Sequence, residues 1–392
     1  MKFIAFSRER PDIHGDRKNE NKSGGVLGFI KKNTVLMVAL AAALVTSFIV
    51  PPDREYFGYF DFKTLCCLFS VLAVVCAFRD INFFYILARG IVAKCGNIRL
   101  SVIAVVYITF IGSMLIANDM ALLTFLPLGY YVLSTTGYQK WTALTFILQN
   151  IAANLGGMLT PFGNPQNLYL YTKFNIPTGE FVSIMALPFA VSIVVITLCC
   201  FIVKPEKITL AEDGAAKLPP VRTAAYCVLF ALAIAIVFRG IPYIIGTAVI
   251  LIAMLILDRK ALAKVDYPLL CTFAAFFVFS GNMARIGAVR DFVSGLLQKN
   301  TLIFSVLSCQ FISNVPSAIL LSQFTDDYRS LLVGVNIGGV GTLIASLASL
   351  ITFREYTKNY PERTKQYILL FLLVNFAFLI LLTIIMSFAL AK

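Results

Sequence analysis

The chain has 392 residues, of which 59% are hydrophobic and 14% are charged, and its formal net charge is +13. Soluble domains hold roughly 45–50% apolar and about 25% charged residues, so this composition excludes a water-soluble fold, a water-soluble enzyme and a disordered chain. It predicts an all-α polytopic membrane protein, in which the bilayer is the solvent for most apolar side chains.

The first half of the chain, 34–203, holds plain, amphipathic and interrupted apolar segments. In chain order, these segments are 34–50, 61–78, 81–97, 99–134, 139–175 and 180–203. The segment 81–97 mixes apolar and basic positions and is typical of a helix lying along the membrane surface. The interruptions at Asn118-Asp119 and between Thr160 and Pro165 predict a re-entrant helical hairpin and a broken transmembrane helix.

The second half, 243–392, repeats this order of features. Its segments are 243–257, 267–283, 286–299, 300–329, 330–353 and 366–390, with interruptions at Ser313-Asn314 and around Gly338 to Ser349. Residues coincide as well: Asn154, Gly156, Gly157 and Thr160 of the first half match Asn336, Gly338, Gly339 and Thr342 of the second. We predict an internal duplication in which a linker at 204–221 and an extra helix at 222–242 separate two inverted repeats.

The distribution of basic residues predicts the orientation in the membrane. With a basic cytoplasmic tail at 1–33, the segments expected to face the cytoplasm hold 24 of the 33 Lys and Arg residues. This excess is what the positive-inside rule requires, and it explains the positive charge without nucleic acid as a partner. We therefore expect a multi-pass plasma-membrane protein with a cytoplasmic N-terminus and a cytoplasmic linker.

Asp119 is the one acidic residue that this topology places at membrane depth. A carboxylate inside a membrane is costly, so it is a functional candidate, here for binding H⁺ or Na⁺. The alternative interpretation is that Asn118-Asp119 caps the second helix of the hairpin. The two roles are compatible.

Neutral polar residues at the breaks and hairpin tips are candidates for substrate binding. Helix N-termini at such breaks favour anions, and unwound carbonyl groups favour cations. The candidates are Asn118, Thr160, Asn164, Asn167, Ser313, Asn314, Thr342 and Ser346. Helix capping is the alternative for the residues at the tips, and helix–helix packing is the alternative for those at the breaks.

Five sequence motifs surround these positions. They are IANDMALLTFLPL at 116–128, NLGGMLTPFGNPQNLYLY at 154–171, FFVFSGNMARIGAV at 276–289, ISNVPSAILL at 312–321 and NIGGVGTLIASLASL at 336–350. In these motifs the chain resembles the ion transporter superfamily over nearly all of 34–390. That superfamily includes divalent-anion/sodium symporters, citrate–metal symporters, arsenite efflux pumps and certain sodium/proton antiporters.

The resemblance implies a scaffold domain that usually forms a homodimer and a transport domain that moves as an elevator. Carried over by position, one cation site would include Asn118, Asp119 and Gly163. A second cation site would include Ser313, Asn314 and Ala345. The substrate site would be lined by Thr160, Pro161, Asn164 and Thr342. The hairpin tips depart from the Ser-Asn-Thr of the dicarboxylate symporters, since the first reads Ala117-Asn118-Asp119. This departure favours proton coupling through Asp119 over coupling to Na⁺ alone.

The sequence thus predicts a secondary active transporter of a small anion, citrate or another carboxylate, with H⁺ or Na⁺ as coupling ion and no other cofactor or metal. Arsenite efflux and cation/proton antiport are the alternatives within the same superfamily. A membrane-embedded hydrolase would need a nucleophile–base pair or a carboxylate dyad, and the predicted core offers one Asp and no His or Lys. A channel would need polar residues along whole helix faces, whereas polarity here is confined to the breaks and tips.

Overall fold

The computed structural model describes residues 33–208 and 218–390, and their regular structure is helical. In the first half the helices are α1 (Thr34–Ile49), α2 (Phe62–Asp80), α3 (Phe83–Val92), α4 (Ile98–Ile116), α5 (Asn118–Thr135), α6 (Thr142–Gly156), α7 (Pro165–Lys173) and α8 (Thr178–Cys200). The predicted tail, apart from Asn33, and the linker residues 209–217 lie outside the described residues, as do 391–392.

The second half follows the same sequence of elements after one additional helix. That helix is α9 (Pro220–Val237), and it is followed by α10 (Tyr243–Leu257), α11 (Arg259–Leu262), α12 (Tyr267–Arg285), α13 (Gly287–Lys299), α14 (Thr301–Ile312), α15 (Asn314–Leu321), α16 (Tyr328–Ile337), α17 (Leu347–Asn359) and α18 (Thr364–Leu390). Short 3₁₀ helices cover Arg54–Tyr59, Gln139–Trp141, Gly157–Leu159 and Pro361–Arg363.

Seven helices of the described residues are long and apolar enough to cross a membrane. They are Phe62–Asp80, Ile98–Ile116, Gln139–Leu159, Thr178–Cys200, Pro220–Val237, Tyr267–Arg285 and Pro361–Leu390. The helices α1 and α10, which the sequence predicts as plain crossings, have only 16 and 15 residues. At 1.5 Å per residue each is roughly 22–24 Å long, against a hydrocarbon core of about 30 Å. Pro51-Pro52 follows α1 closely and Asp258 follows α10 directly, so neither helix continues.

Matched capping residues begin corresponding helices in the two halves. Asp61 and Asp266 precede α2 and α12, and each carboxylate accepts the backbone N–H three residues later, at 2.9 and 3.0 Å. Asn97 and Asn300 precede α4 and α14 and do the same, both at 2.9 Å. These side chains satisfy N–H groups that a helix start leaves without a carbonyl.

The segment 98–135 folds back on itself as a helical hairpin. The chain turns at Ala117, whose φ of 66° ends α4. Both ends of the hairpin contact one residue of the linker: the Ile98 N–H donates to the Glu206 carbonyl oxygen at 2.9 Å, and the Tyr138 hydroxyl donates to Glu206 Oε2 at 2.8 Å. Although α4 alone is long enough to cross a membrane, the hairpin therefore returns to the side from which it started.

The second hairpin has the same construction. It turns at Ser313, with φ of 73°, and the hydroxyl groups of Ser308 and Ser317 on its two helices lie 2.9 Å apart. At its open end, the Ser294 hydroxyl donates to the Phe324 carbonyl oxygen at 3.4 Å. The predicted hairpins are thus present as folded-back helix pairs.

Contacts between loops join segments that the basic residues assign to the same side of the membrane. On the side predicted to be cytoplasmic, Lys264 forms an ion pair with Asp80 at 2.6 Å. On the opposite side, Arg285 forms an ion pair with Asp53 at 2.6 Å. The order of the crossings therefore agrees with the charge pattern.

The plain helices pack across the two halves. Helix α1 lies along α12, α10 lies along α2, and α9 packs against both α2 and α10. The α1–α12 contact includes a hydrogen bond from Asn282 Nδ2 to Thr46 Oγ1 at 3.3 Å. The hairpins, the broken helices α6–α7 and α16–α17, and the helices α8 and α18 form a second group around the interruptions.

Candidate functional site

Each hairpin tip is bound to the broken helix of its own half through the same backbone hydrogen bond. The Asn118 N–H donates to the Gly163 carbonyl oxygen at 3.2 Å, and the Asn314 N–H donates to the Ala345 carbonyl oxygen at 2.9 Å. Asn118 and Asn314 are both buried, with 3% of their surface exposed. The residues predicted for the two cation sites are therefore in direct contact within each set.

Two threonines attach the breaks to the hairpins a second time. Thr160 Oγ1 donates to the Met114 carbonyl oxygen at 2.8 Å, and Thr342 Oγ1 donates to the Gln310 carbonyl oxygen at 3.1 Å. Met114 and Gln310 each lie four residues before the Asn of the tip, where a helix end leaves carbonyl groups without an N–H donor. The hydroxyl protons of both threonines thus hold the tip in place, and their oxygen atoms remain as acceptors.

A network of side-chain amides joins the two broken helices. Asn336 Nδ2 donates to Asn167 Oδ1 at 2.6 Å, and Asn336 Oδ1 accepts from Asn164 Nδ2 at 3.2 Å. Gln166 Nε2 lies 3.5 Å from the same Asn336 oxygen. All four side chains are buried, with at most 1% of their surface exposed.

Asn167 also supports the irregular backbone of the first break. Its Nδ2 lies within 3.3 Å of the carbonyl oxygens of Gly157, Met158 and Thr160. Because its Oδ1 already accepts from Asn336, the side chain is fully used within the protein. The structure therefore gives Asn167 a supporting role in shaping the break.

Further amides connect the first hairpin with the second half. Asn118 Nδ2 donates to Asn154 Oδ1 at 3.3 Å, and Asn154 Nδ2 donates to the Asn150 carbonyl oxygen at 3.1 Å. Asn150 Nδ2 reaches Ser349 Oγ and Asn375 Oδ1, both at 3.4 Å. A continuous chain of polar contacts therefore runs from the first tip to the second broken helix.

Asp119 lies in the first turn of α5 and makes no capping hydrogen bond through its carboxylate. The N–H of Asp119 donates to Asn118 Oδ1 at 2.9 Å, so the neighbouring side chain accepts this N–H. Asp119 Oδ1 is buried and has no hydrogen-bond donor within the described residues. This arrangement does not support the interpretation of Asp119 as a simple helix cap.

Two more buried oxygen atoms near the breaks share this property. Within residues 33–208 and 218–390, Asn164 Oδ1 and Gln166 Oε1 also accept no hydrogen bond. A buried acceptor without a donor costs free energy unless a proton, a cation or a ligand donor satisfies it. The Asp119 carboxylate suits H⁺ or a hard cation such as Na⁺, and the two amide oxygens suit a cation or a donor group of a ligand.

The remaining predicted site residues have local roles in the structure. Pro161 is buried within the first break, and Ser313 Oγ donates to the Ala345 carbonyl oxygen at 3.3 Å. Ser346 caps α17 by accepting the Ser349 N–H at 3.2 Å. No group of three His, Cys, Asp or Glu side chains that could hold a metal occurs in the described part of the chain.

Several residues of the network were not among the predicted site residues. They are Asn150, Asn154, Gln166, Gln310, Asn336 and Ser349. Asn154 and Asn336 occupy equivalent positions of the duplicated motif, and this repetition is the signal by which sequence reasoning could have found them. The second half has Leu332 and Ala348 at the positions equivalent to Asn150 and Gln166, so repetition gives no signal for these two amides.

The sequence profile of the citrate transporter family matches residues 26–327. The chain belongs to this family. An uncharacterized transporter of Methanocaldococcus jannaschii is 33% identical over 326 residues, which cover 83% of this chain and 89% of that protein. The inner membrane protein YbiR of Escherichia coli is 26% identical over 316 residues, covering 79% and 84% of the two chains.

A shorter match, 28% identical over 137 residues, is to a transporter of Dictyostelium discoideum named arsB; it covers 34% of this chain and 23% of that protein. The family and its relatives show that the protein is a multi-pass membrane transporter and not an enzyme. Membership of the family also implies a small anionic substrate, and the protein is a secondary transporter.

Proposed function

We propose that this citrate-transporter-family protein carries citrate or a similar small carboxylate anion across the plasma membrane, coupled to H⁺ or Na⁺. In this proposal the anion binds between the two hairpin tips and the two breaks. The N-termini of α7 and α17 begin at the breaks, after Asn164 and Ser346, and they supply a partial positive charge for a carboxylate.

The matched attachment of the two hairpin tips is the observation that carries this proposal. The Asn118–Gly163 and Asn314–Ala345 hydrogen bonds use equivalent atoms in the two halves. Each therefore places one hairpin tip beside one unwound segment. Paired breaks and tips in a duplicated membrane protein are typical of the binding site of a secondary transporter.

Coupling is assigned to the first tip, because the second has no carboxylate. Val315 occupies the position of the second tip that is equivalent to Asp119, so the two tips differ in charge. The Asp119 oxygen that lacks a donor supports a carboxylate that binds a proton or Na⁺ during transport. The neutral tip around Asn314 would contribute carbonyl and amide oxygens to a second cation site.

The proposed mechanism is an elevator movement of one helix group against the other. Helices α1, α2, α9, α10 and α12 would form the scaffold, and the hairpins with the broken helices would move relative to it. The packing of plain helices across the two halves supports this division. The two halves would be inverted repeats with the N-terminus in the cytoplasm, and the scaffold would form a homodimer.

Arsenite efflux remains the second candidate, because the Dictyostelium relative bears the name arsB. Cation/proton antiport is a third possibility within the superfamily that the sequence resembles. A ligand-stabilisation screen of the purified protein separates these candidates, since a specific ligand raises the apparent melting temperature by mass action. We expect citrate or another carboxylate to raise it, and stabilisation by arsenite with no stabilisation by any carboxylate would contradict the proposal.

A further inference from the structure

The beginning of α2 is hydrogen-bonded to the end of the first broken helix. Asp61, which caps α2, accepts a hydrogen bond from Thr172 Oγ1 at 3.0 Å through its Oδ2. Thr172 lies in the last turn of α7, and it also contacts the Thr64 hydroxyl. One residue of the proposed scaffold is thus bound to one residue of the proposed moving group.

The equivalent contact is not made in the second half. Asp266 corresponds to Asp61, because both cap the second plain helix of their half. The pairing of Asn167 with Ser349 assigns Arg354 of α17 as the counterpart of Thr172. Within residues 33–208 and 218–390, the Asp266 carboxylate accepts only the Leu269 N–H, and the exposed Arg354 side chain forms no ion pair.

The asymmetry extends to the neighbouring contacts. Helix α2 packs against α7, whereas α12 packs against the hairpin helix α15. At its other end, α2 meets the first hairpin tip, since Arg79 Nη1 lies 3.7 Å from Met120 Sδ. A cleft of about 100 Å³ opens at this end between α2, α3 and α5, with Arg79 and Thr124 in its lining.

We infer that Asp266 and Arg354 form an ion pair in the opposite conformation of the transporter, where the Asp61–Thr172 contact is broken. The inference rests on the proposed function, because inverted repeats exchange their roles when a binding site changes sides. The contact that α7 makes with Asp61 would then be made by α17 with Asp266. Asp266 and Arg354 occupy the positions equivalent to Asp61 and Thr172, and they form no ion pair in this conformation. Their carboxylate and guanidinium groups suit a contact that forms only in the opposite conformation.

This pair would set the balance between the two conformations. The contact in this conformation is a hydrogen bond between a hydroxyl and a carboxylate, whereas the alternative contact joins two opposite charges. The ion pair would therefore stabilise the opposite conformation. Its removal should shift the population toward the conformation described here.

Cross-linking of cysteine pairs tests the inference in a variant whose nine native cysteines are replaced. The pairs are Asp61→Cys with Thr172→Cys for this conformation and Asp266→Cys with Arg354→Cys for the opposite one. Thr46→Cys with Asn282→Cys is the control, because α1 and α12 stay together in both conformations. We expect all three pairs to cross-link in membranes, and we expect prior cross-linking of 61–172 to prevent the 266–354 reaction when all four cysteines are present.

Absence of the 266–354 cross-link, with the other two pairs reacting, would overturn the inference, and so would simultaneous cross-linking of 61–172 and 266–354 in one molecule. A second measurement tests the ion pair itself, with the 61–172 cross-link as the readout. Asp266→Asn and Arg354→Gln should each raise the rate of 61–172 cross-linking by about two- to fivefold, as expected for loss of one partly exposed ion pair. The double variant Asp266→Arg with Arg354→Asp, which exchanges the two charges, should restore the parental rate of 61–172 cross-linking. An unchanged rate in all variants would contradict the inference.

These measurements need no substrate, so a failure of citrate transport would bear on the proposed function alone.

Discussion

Asn336 of the second broken helix donates its side-chain amide to Asn167 Oδ1 of the first at 2.6 Å, although 169 positions separate them in the chain. The same Asn336 side chain accepts from Asn164 at 3.2 Å. One amide therefore holds both breaks in a fixed relation.

We expect Asn336→Ala to destabilise the protein and to reduce transport strongly. The variant leaves the buried Asn167 Oδ1 without its donor and removes one acceptor of Asn164 Nδ2, at a cost of about 1–3 kcal/mol. The apparent melting temperature of the purified protein measures the effect. The exposed amide Gln298 offers the control, and Gln298→Ala should leave the melting temperature unchanged. Equal melting temperatures for the two variants would show that the amide network contributes little.

Gly157→Val should abolish transport while the protein still inserts into the membrane. A Cβ atom at Gly157 would lie 2.8 Å from the Gly163 carbonyl oxygen and would also overlap Asn164 Oδ1, so the break has no room for a side chain. Gly339→Val should have the same direction of effect, with neighbours at 3.0 Å or more. Gly179→Val is the control, because open space surrounds that position. Transport by Gly157→Val at the parental rate would show that close approach is not required there.

Asp119→Asn should retain exchange of substrate but lose uphill accumulation. Exchange of substrate on both sides needs only binding and movement, whereas accumulation needs a group that binds and releases the coupling ion. Asn keeps the size of the side chain but removes its titration, and Asp119→Glu should keep part of both activities. Asp291→Asn, at an exposed position, is the control. Accumulation by Asp119→Asn equal to that of the parent would exclude Asp119 from coupling.

Labelling of single cysteines with an impermeant thiol reagent tests the predicted orientation. We expect Lys207→Cys to be protected in intact cells and Gln298→Cys to react, because the basic residues place 204–221 inside and 284–299 outside. Both residues are exposed in the structure, so burial would not explain protection. Labelling of Lys207→Cys from outside would contradict the inverted-repeat topology.

The positions of the breaks and hairpin tips could be predicted from the sequence, because Pro, Gly and Asn interrupt otherwise apolar segments. The turns at Ala117 and Ser313 lie at such interruptions, whereas the capping role of Ser346 was not predicted. The grouping of each tip with the break of its own half came from the resemblance to the ion transporter superfamily. The interruptions themselves are local or repeated features, and both kinds of signal are present in a single sequence.

The contacts across the two halves could not be predicted in this way. Asn150 reaches Ser349 and Asn375 only because the broken helices cross, and nothing near Asn150 in the sequence indicates its partners. The same holds for Asn167, whose Oδ1 accepts from Asn336 of the second half.

Uphill transport of citrate by the purified protein in proteoliposomes tests the central claim most directly. An imposed pH difference of one unit supplies about 1.4 kcal/mol for each coupled proton, which corresponds to an approximately tenfold concentration ratio. We predict accumulation of radiolabelled citrate under an imposed pH or Na⁺ gradient, its collapse when an ionophore dissipates that gradient, and no accumulation by Asp119→Asn. Equilibration of citrate without accumulation under either gradient, or no citrate uptake by protein that exports arsenite, would contradict the account.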